Sequence, residues 1–293
     1  MSSSKEQPWT TRRLIQWGSD WLGKQDIENP RLDVELLLAD TLALTRMDLF
    51  LDMDRPLDQQ ELGAFKNRIK RRSQREPVAY IIGVRGFWKQ HFHVNSSVLI
   101  PRPETETLVD SVLSLYPQRD AKLNILDLGI GSGAILLSLL NEFPNAVGVG
   151  VDKSEDALRV AEINREKFKL EKRATLIAGD LTAPLPSDAQ YDLIVSNPPY
   201  IVRDELEKLQ AEVKDKEPRL ALDGGKDGLD IYRPLIPQAY KFLKSSGWLV
   251  VEIGYDQGES VPDIFKLAGL KDVAVVKDYG QRDRVVMGIK KAL

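Results

Sequence analysis

The chain has 293 residues, of which 42% are hydrophobic and 29% charged, with a net charge of −3 and no cysteine. That length accommodates one large or two modest domains with a substantial core. The acidic balance argues against a sequence-independent nucleic-acid binder, and the missing thiols exclude disulfides, a cysteine nucleophile and cysteine-ligated metal. No apolar run approaches bilayer length, and Met1–Gln7 lacks the apolar core of a secretory signal. A cytoplasmic protein with no membrane partner is therefore expected.

Up to about Tyr80 the pattern is helical. Leu14, Trp17, Trp21 and Leu22 recur at helical spacing behind the candidate caps Thr10 and Thr11, and are expected in a core. Pro30 sits at the favoured first position of a second helix with Asn29 as its cap; Leu32, Leu36, Leu37 and Leu42 are its apolar residues. A short helix carries Met47, Leu49 and Phe50. Asp58 and Glu61 form a capping box for a fourth, with Leu62, Phe65 and Ile69. The basic run Lys66, Arg68, Lys70, Arg71, Arg72 and Arg75 reads as a solvated helix face, or as a docking surface for an acidic protein or RNA.

From Val84 to Val98 the pattern changes to a β-hairpin or extended connector, with Phe87, Phe92 and Val94 as its apolar residues. The domain boundary is placed here, dividing a helical domain (1–84) and a connector (85–103) from a domain over 104–293. His91 and His93 share a strand face, but two histidines with no third ligand make a poor metal site, and no metal is expected. Pro101-Arg102-Pro103 is a rigid extended entry to a helix beginning near Glu104.

Strands and helices then alternate. Ile125–Leu128 runs into the glycine-rich turn Gly129-Ile130-Gly131-Ser132-Gly133, followed by the helix-like Ala134–Leu140. By itself this turn also satisfies a dinucleotide-binding pattern through Gly129, Gly131 and Ala134. The second strand, Ala146–Val151, ends in Asp152, 19 residues past Gly133, where an acid suits ribose hydroxyls. The third, Ala174–Ala178, ends in Gly179-Asp180.

The fourth strand, Tyr191–Val195, ends in Ser196-Asn197-Pro198-Pro199-Tyr200. Two prolines forbid both a helix and a continued ladder, and Asn197, preceding a proline, is pushed extended. One amide and one aromatic ring are thus held at the carboxyl end of a strand, where open α/β sheets bind ligands. The Asn197 side-chain carbonyl and the Pro198 backbone carbonyl are two acceptors suited to a planar NH2, and Tyr200 is placed to stack on it. The plain alternative is a strand-ending turn. Beyond it, Ile201–Ala211 is expected to be helical and 217–230 to be a lid-like loop. Trp248–Ile253 is a buried strand, and Val273–Val276 with Arg284–Ile289 form an antiparallel pair.

The series Asp127-x-Gly129-x-Gly131-x-Gly133, Asp152, Asp180 and Asn197-Pro198-Pro199-Tyr200 resembles that of S-adenosylmethionine-dependent amino-methyltransferases. More narrowly, several stretches resemble the peptide chain release factor glutamine methyltransferases. These are Leu99–Glu106, Glu217-Pro218-Arg219-Leu220-Ala221-Leu222, Gly228-Leu229-Asp230, Asp278-Tyr279-Gly280 and Arg282-Asp283-Arg284. The resemblance implies an α/β fold, a seven-stranded Rossmann-like class I methyltransferase domain preceded by a small helical domain that docks substrate. It implies S-adenosyl-L-methionine as cofactor, with Gly129–Gly133 against its methionine part, Asp152 at the ribose, and Asp180 and Leu181 flanking the adenine. Asp127 would fix the turn, with the donor's amino group as its other partner. Asn197, Pro198, Pro199 and Tyr200 would present the acceptor, with Asn197 also beside the donor. Arg102, Glu104 and Thr105 would line the substrate side.

The implied reaction is methylation of the glutamine in a Gly-Gly-Gln motif of release factors. The expected partner is that protein substrate, with no stable nucleic acid, and the enzyme a monomer. Three other readings stay open at this point: methylation of a glutamine in a large-subunit ribosomal protein, methylation of a nucleic-acid amine, and a non-enzymatic nucleotide-binding module. The last is disfavoured because both halves of a bisubstrate site are present.

Overall fold

The computed structural model describes residues 8–291; Met1–Gln7, read above as lacking a signal core, lies outside them. No helix among the described residues is long and apolar enough to cross a membrane. The chain forms two compact units.

The first comprises the described residues up to Gly83, together with Ala211–Lys216. Its helices are α1 (Thr11–Gly23), α2 (Pro30–Thr41), α3 (Arg46–Leu51), α4 (Gln59–Ser73) and α5 (Val78–Ile82). Thr10 caps α1 by accepting from the Arg13 N–H, and Asp58 with Glu61 forms a closed capping box on α4. A second box, Thr45 with Asp48 on α3, escaped the sequence reading. Asn29 stands at the N-cap of α2 without making a side-chain cap bond. Leu14, Leu22, Leu37, Phe65 and Ile69 fill the core.

Two expectations fail here. Trp21 is 46% exposed, and Leu32 of α2, whose leucines are likewise expected in the core, is 40% exposed. Trp17 already fills the seam between Trp9 and Phe65, so Trp21 is left stacked on it at 6.5 Å. The basic run is also no simple solvated face. Arg68 pairs with Asp40, Arg71 with Glu76, Arg75 with Glu212, and buried Arg72 with both Asp33 and Glu212. Burial raises the Asp33 pKa against the pull of Arg72, the desolvation that accompanies any sequestered pair.

In the second unit β1 (Val84–Phe87) and β2 (Gln90–His93) form an antiparallel hairpin. A 3-10 turn at Pro103–Thr105 leads into α6 (Glu106–Leu115). There follow β3 (Asn124–Leu128), α7 (Ala134–Glu142), β4 (Val147–Asp152), α8 (Glu155–Lys167), β5 (Ala174–Ala178) and β6 (Tyr191–Ser196). Ile201–Ala211 is not one helix. Ile201 bridges to Asp223, a 3-10 turn spans Arg203–Lys208, and Leu209 is extended before α9 (Ala211–Lys214), which belongs to the first unit. The chain closes with α10 (Tyr232–Phe242), β7 (Leu243–Glu252), α11 (Ser260–Leu267), β8 (Lys271–Lys277) and β9 (Asp283–Ile289).

The sheet order is β5-β4-β3-β6-β7-β9-β8, and only β9 runs against the rest. Apolar cores lie on both faces, so the central strands read as continuous apolar runs. Strand order reverses between β3 and β6, and a ligand crevice belongs at such a switch point, outside the carboxyl ends of the strands.

Candidate functional site

A cavity of about 320 Å³ opens there, within the range of small-molecule sites. Its first wall is the turn after β3. Gly131 has a φ of +56°, the left-handed region that a side chain resists, and a Cβ there would meet nothing within 4 Å. Asp152, at the end of β4, ties this turn down: Oδ2 accepts from the Gly131 N–H at 2.8 Å and Oδ1 from the Ser154 N–H at 2.9 Å. Burial raises its pKa, and these backbone donors lower it. Each carboxylate oxygen keeps a lone pair for a hydroxyl. Ile130, Ser132, Asp180 and Leu181 also line the cavity; Asp180 is exposed and faces Lys153 at 3.5 Å.

Asp127 does not reach the cavity. It is fully buried beneath the turn, where Oδ2 accepts from the Leu136 N–H at 3.3 Å and Oδ1 has no partner among the described residues. Burial pushes its pKa up to about 7, the Leu136 N–H opposes that, and Asp152 adds to it. Gly133 also stays out of the lining, close against Leu137.

The opposite wall is the loop after β6. Asn197, Pro198 and Pro199 line the cavity with Thr105 and Arg102. Asn197 Nδ2 donates to Thr105 Oγ1 at 3.3 Å, which turns the carbonyl end of the amide the other way. Tyr200 does not line the cavity, as stacking on a substrate would require. Its ring packs among apolar side chains and its hydroxyl donates to Glu252 Oε1 at 3.4 Å. Glu104 is exposed outside the lining. Arg102 donates to Glu217 Oε1 at 2.6 Å, while Glu217 Oε2 accepts from the Ile100 N–H at 3.0 Å.

The 217–230 loop is strapped to this wall. The Ile201 N–H donates to Leu222 O at 3.1 Å and the Gly224 N–H to Ile201 O at 2.8 Å. A Cβ on Gly224 would fall 2.6 Å from the Tyr200 backbone carbon. Pro218, Leu220 and Ala221 complete the cavity.

Glu217 and Glu252 escaped the sequence reading as site residues. Both are buried acids, and a signal existed for each: Glu252 interrupts an apolar run, and Glu217 opens a motif quoted for resemblance without a role. The cavity fits S-adenosylmethionine. It joins an acid with free acceptor capacity, an open glycine turn and apolar walls in one space, and the Asp152 carboxylate supplies negative potential where a cationic ligand would sit.

A family model for the PrmC N-terminal domain matches residues 13–83, and one for a methyltransferase domain matches residues 119–269. The chain is 44% identical to a release factor glutamine methyltransferase of Caulobacter vibrioides, covering 100% of this chain and 99% of that protein. It is 43% identical to one of Geobacter sulfurreducens, covering 98% and 99%. A methyltransferase structure from Pyrococcus furiosus superposes with a TM-score of 0.52 at 16% identity, covering 78% of this chain and 100% of that one, a likeness of fold.

Proposed function

The chain belongs to the release factor glutamine methyltransferase family, and from that premise we propose how its own residues divide the work. It is an enzyme that transfers a methyl group from S-adenosylmethionine to the side-chain amide nitrogen of a glutamine in a peptide chain release factor. The target glutamine is that of a Gly-Gly-Gln motif, whose glycines let the backbone enter a narrow pocket.

Bound S-adenosylmethionine supplies a methyl on a cationic sulfonium with a neutral leaving group. Asp152 accepts from the ribose hydroxyls, and the Gly129–Gly133 turn holds the methionine part at close range. Leu181 and Asp180 border the adenine. Asp127 acts beneath the turn and positions it.

Asn197 Oδ1 and the Pro198 carbonyl accept the two N–H bonds of the glutamine amide. That turns the nitrogen face toward the methyl carbon and aligns the three reacting centres. An amide nitrogen is a poor nucleophile, because its lone pair is delocalised into the carbonyl. Acceptors on both N–H bonds stabilise the positive charge that grows there. The bound donor would supply the methyl, the N–C bond forming as its C–S bond breaks and the amide proton leaving to solvent, so no strong base is needed from the chain. Tyr200 serves as the rear anchor of this loop through Glu252, and Arg102 holds the rim through Glu217. The observation that carries the reading is the Asn197–Thr105 bond, which spends the NH2 end of Asn197 and leaves its carbonyl for the substrate.

The helical unit docks the release factor. Support comes from the side chains on and beside α3 that stand in solvent, Met47 at 67% and Leu51 at 78% exposure. Replacing both with Ser raises KM for the release factor and leaves donor affinity alone. The net charge of −3 supports a protein over a nucleic-acid substrate. Methyl incorporation into a release factor, located by mass spectrometry with a Gln→Ala tripeptide as control, tests the assignment. Incorporation that survives the control, or that appears only on RNA, overturns it.

A further inference from the structure

The β1–β2 hairpin has no part in the reaction described above, and neither of its strands lines the cavity. Two strands of 4 residues each do not hold together unaided in water. What holds them is α8. Lys167 Nζ donates to the His91 carbonyl at 2.6 Å, and the Phe92 ring meets Phe168 edge-on at 5.0 Å. His93 gives both its backbone groups to one side chain. Its N–H donates to Asn164 Oδ1 at 2.6 Å, and its carbonyl accepts from Asn164 Nδ2 at 3.0 Å. The Asn164 amide thus stands at the edge of β2 where a third strand would pair. The two histidines that make a poor metal site matter here through their backbone.

Asn164 carries a further bond. Its Nδ2 also donates to the Ser132 carbonyl at 2.8 Å, in the middle of the glycine turn. That carbonyl has a particular need for a partner. Ser132 stands between Gly131 and Gly133, both of positive φ, just ahead of α7. The Leu136 N–H, which a continuous helix would direct at the Ser132 carbonyl, donates to Asp127 instead. Asn164 is fully buried and its amide is used on both ends. The His93 N–H demands its oxygen and the carbonyls of His93 and Ser132 demand its nitrogen, so the amide has one orientation. An Asp here would set a carboxylate against both carbonyls, and a Leu would leave all of these backbone groups buried and unpaired.

We propose that Asn164 is a positioning residue for the methyl donor, coupling the β1–β2 hairpin to the glycine turn so that two parts of the cavity wall are set together. Ser132 is one part. The other is Ser97, Val98 and Leu99, which follow the hairpin and also line the cavity. Asn95 fixes the bend between hairpin and wall by accepting from the Ser97 N–H at 2.9 Å. Asn164 stays outside the lining, so it acts on the donor only through the groups it holds. It lies on the helix that follows Asp152, and both ties on the turn therefore come from one strand and its helix. The inference rests on the reading of the cavity as an S-adenosylmethionine site. A coupling of this kind is reciprocal: a hairpin held in place strengthens donor binding, and bound donor steadies the hairpin.

The test is hydrogen exchange of the hairpin amides with and without S-adenosylmethionine, on the full chain, beside donor affinity by calorimetry and saturation kinetics. In wild type the donor slows exchange at His93 and along β2, although no residue of β2 lines the cavity. In Asn164→Asp donor affinity falls about 5- to 150-fold, the usual span of a coupling between two sites. The hairpin of that variant no longer responds to donor, while turnover at saturating donor holds. Phe168→Leu loosens the hairpin without touching the bond to Ser132. Its hairpin exchanges faster yet still responds to donor, which separates coupling from plain structural support. A wild type that binds donor with no change in hairpin exchange overturns the inference, whether or not the Asp variant folds. So does an Asp variant with unchanged donor affinity, or a Leu variant that loses the response. A wild type that binds no S-adenosylmethionine overturns the reading of the cavity instead.

Discussion

The two walls of the cavity are built by different means. The donor wall is local: one turn of five residues follows β3, and a single acid at the end of the neighbouring strand ties it down through the Gly131 N–H. The acceptor wall is assembled from afar. Asn197 leans on Thr105, Arg102 on Glu217, and Tyr200 on Glu252, with partners 92, 115 and 52 residues away in sequence. The donor wall is shaped by local backbone geometry, a left-handed glycine turn tied to one acid. The acceptor side aims with side chains, each needing a partner of its own. A methyl donor common to many reactions needs only to be held, whereas a weakly nucleophilic amide has to be turned to one angle, and angle is what such networks provide.

If the donor wall depends on a buried acid beneath the turn, its largest signature is in stability. Asp127 has its pKa raised from 3.8 to about 7. A carboxyl held neutral in the fold stabilises it at low pH, and that contribution is lost progressively as pH rises from about 4 to about 7. A rise of this size corresponds to about 4 kcal/mol as an upper limit. Asp127→Asn, which keeps an acceptor for the Leu136 N–H, removes this slope. Denaturant melts across that range, wild type against variant, check it; parallel curves would show that Asp127 does not titrate there.

On the acceptor wall the expected loss is in rate. Asn197→Ala lowers turnover roughly a hundredfold or more, as for one transition-state hydrogen-bonding group, and leaves donor affinity and fold unchanged. Asn197→Asp keeps an acceptor but loses the NH2 that bonds Thr105, so it retains more activity than Ala and less than wild type. Equal loss in both variants would mean that orientation by an acceptor is not what the loop provides.

The same contrast governs how much of the site was legible in the sequence. The order of strands, the glycine turn, Asp152 and the proline-stiffened loop follow from residues adjacent in the chain. Resemblance carried Arg102 and Thr105 to the cavity, where both line it. Glu217 and Glu252 were missed because what defines them is a partner distant in sequence. Tyr200 was set to stack on substrate for the same reason: the chain alone does not reveal that its hydroxyl turns to Glu252. In the helical unit the spacing gave the helices, but not that Trp17 would fill the seam and leave Trp21 outside.

Asp152→Ala separates the walls from the donor side. It removes a charged acceptor for the ribose and the anchor of the Gly131 N–H together. Donor affinity falls by about 1–3 kcal/mol, while the variant at saturating donor keeps most of its turnover. Titration calorimetry beside saturation kinetics checks both halves; a turnover defect larger than the binding defect would place Asp152 in aligning the reaction and not only in holding the donor.

The smallest effects are expected from one chemical change made on each wall. Gly131→Ala adds a methyl in open space but at a φ of +56°, so its cost is backbone strain of about 1–2 kcal/mol. That strain lies in the turn assigned above to the donor, so donor affinity is expected to fall with the acceptor side untouched. Gly224→Ala has no such backbone problem, but its Cβ would meet the Tyr200 backbone at 2.6 Å. Backbone yields less readily than a flexible side chain, and overpacking of this kind costs about 1–3 kcal/mol. The displaced segment is the one that carries Pro199 and Tyr200, so KM for the release factor rises and turnover falls while donor affinity holds. If the two alanines instead lower the same parameter, the walls are mechanically one unit, and the division between a donor side that grips and an acceptor side that aims is lost.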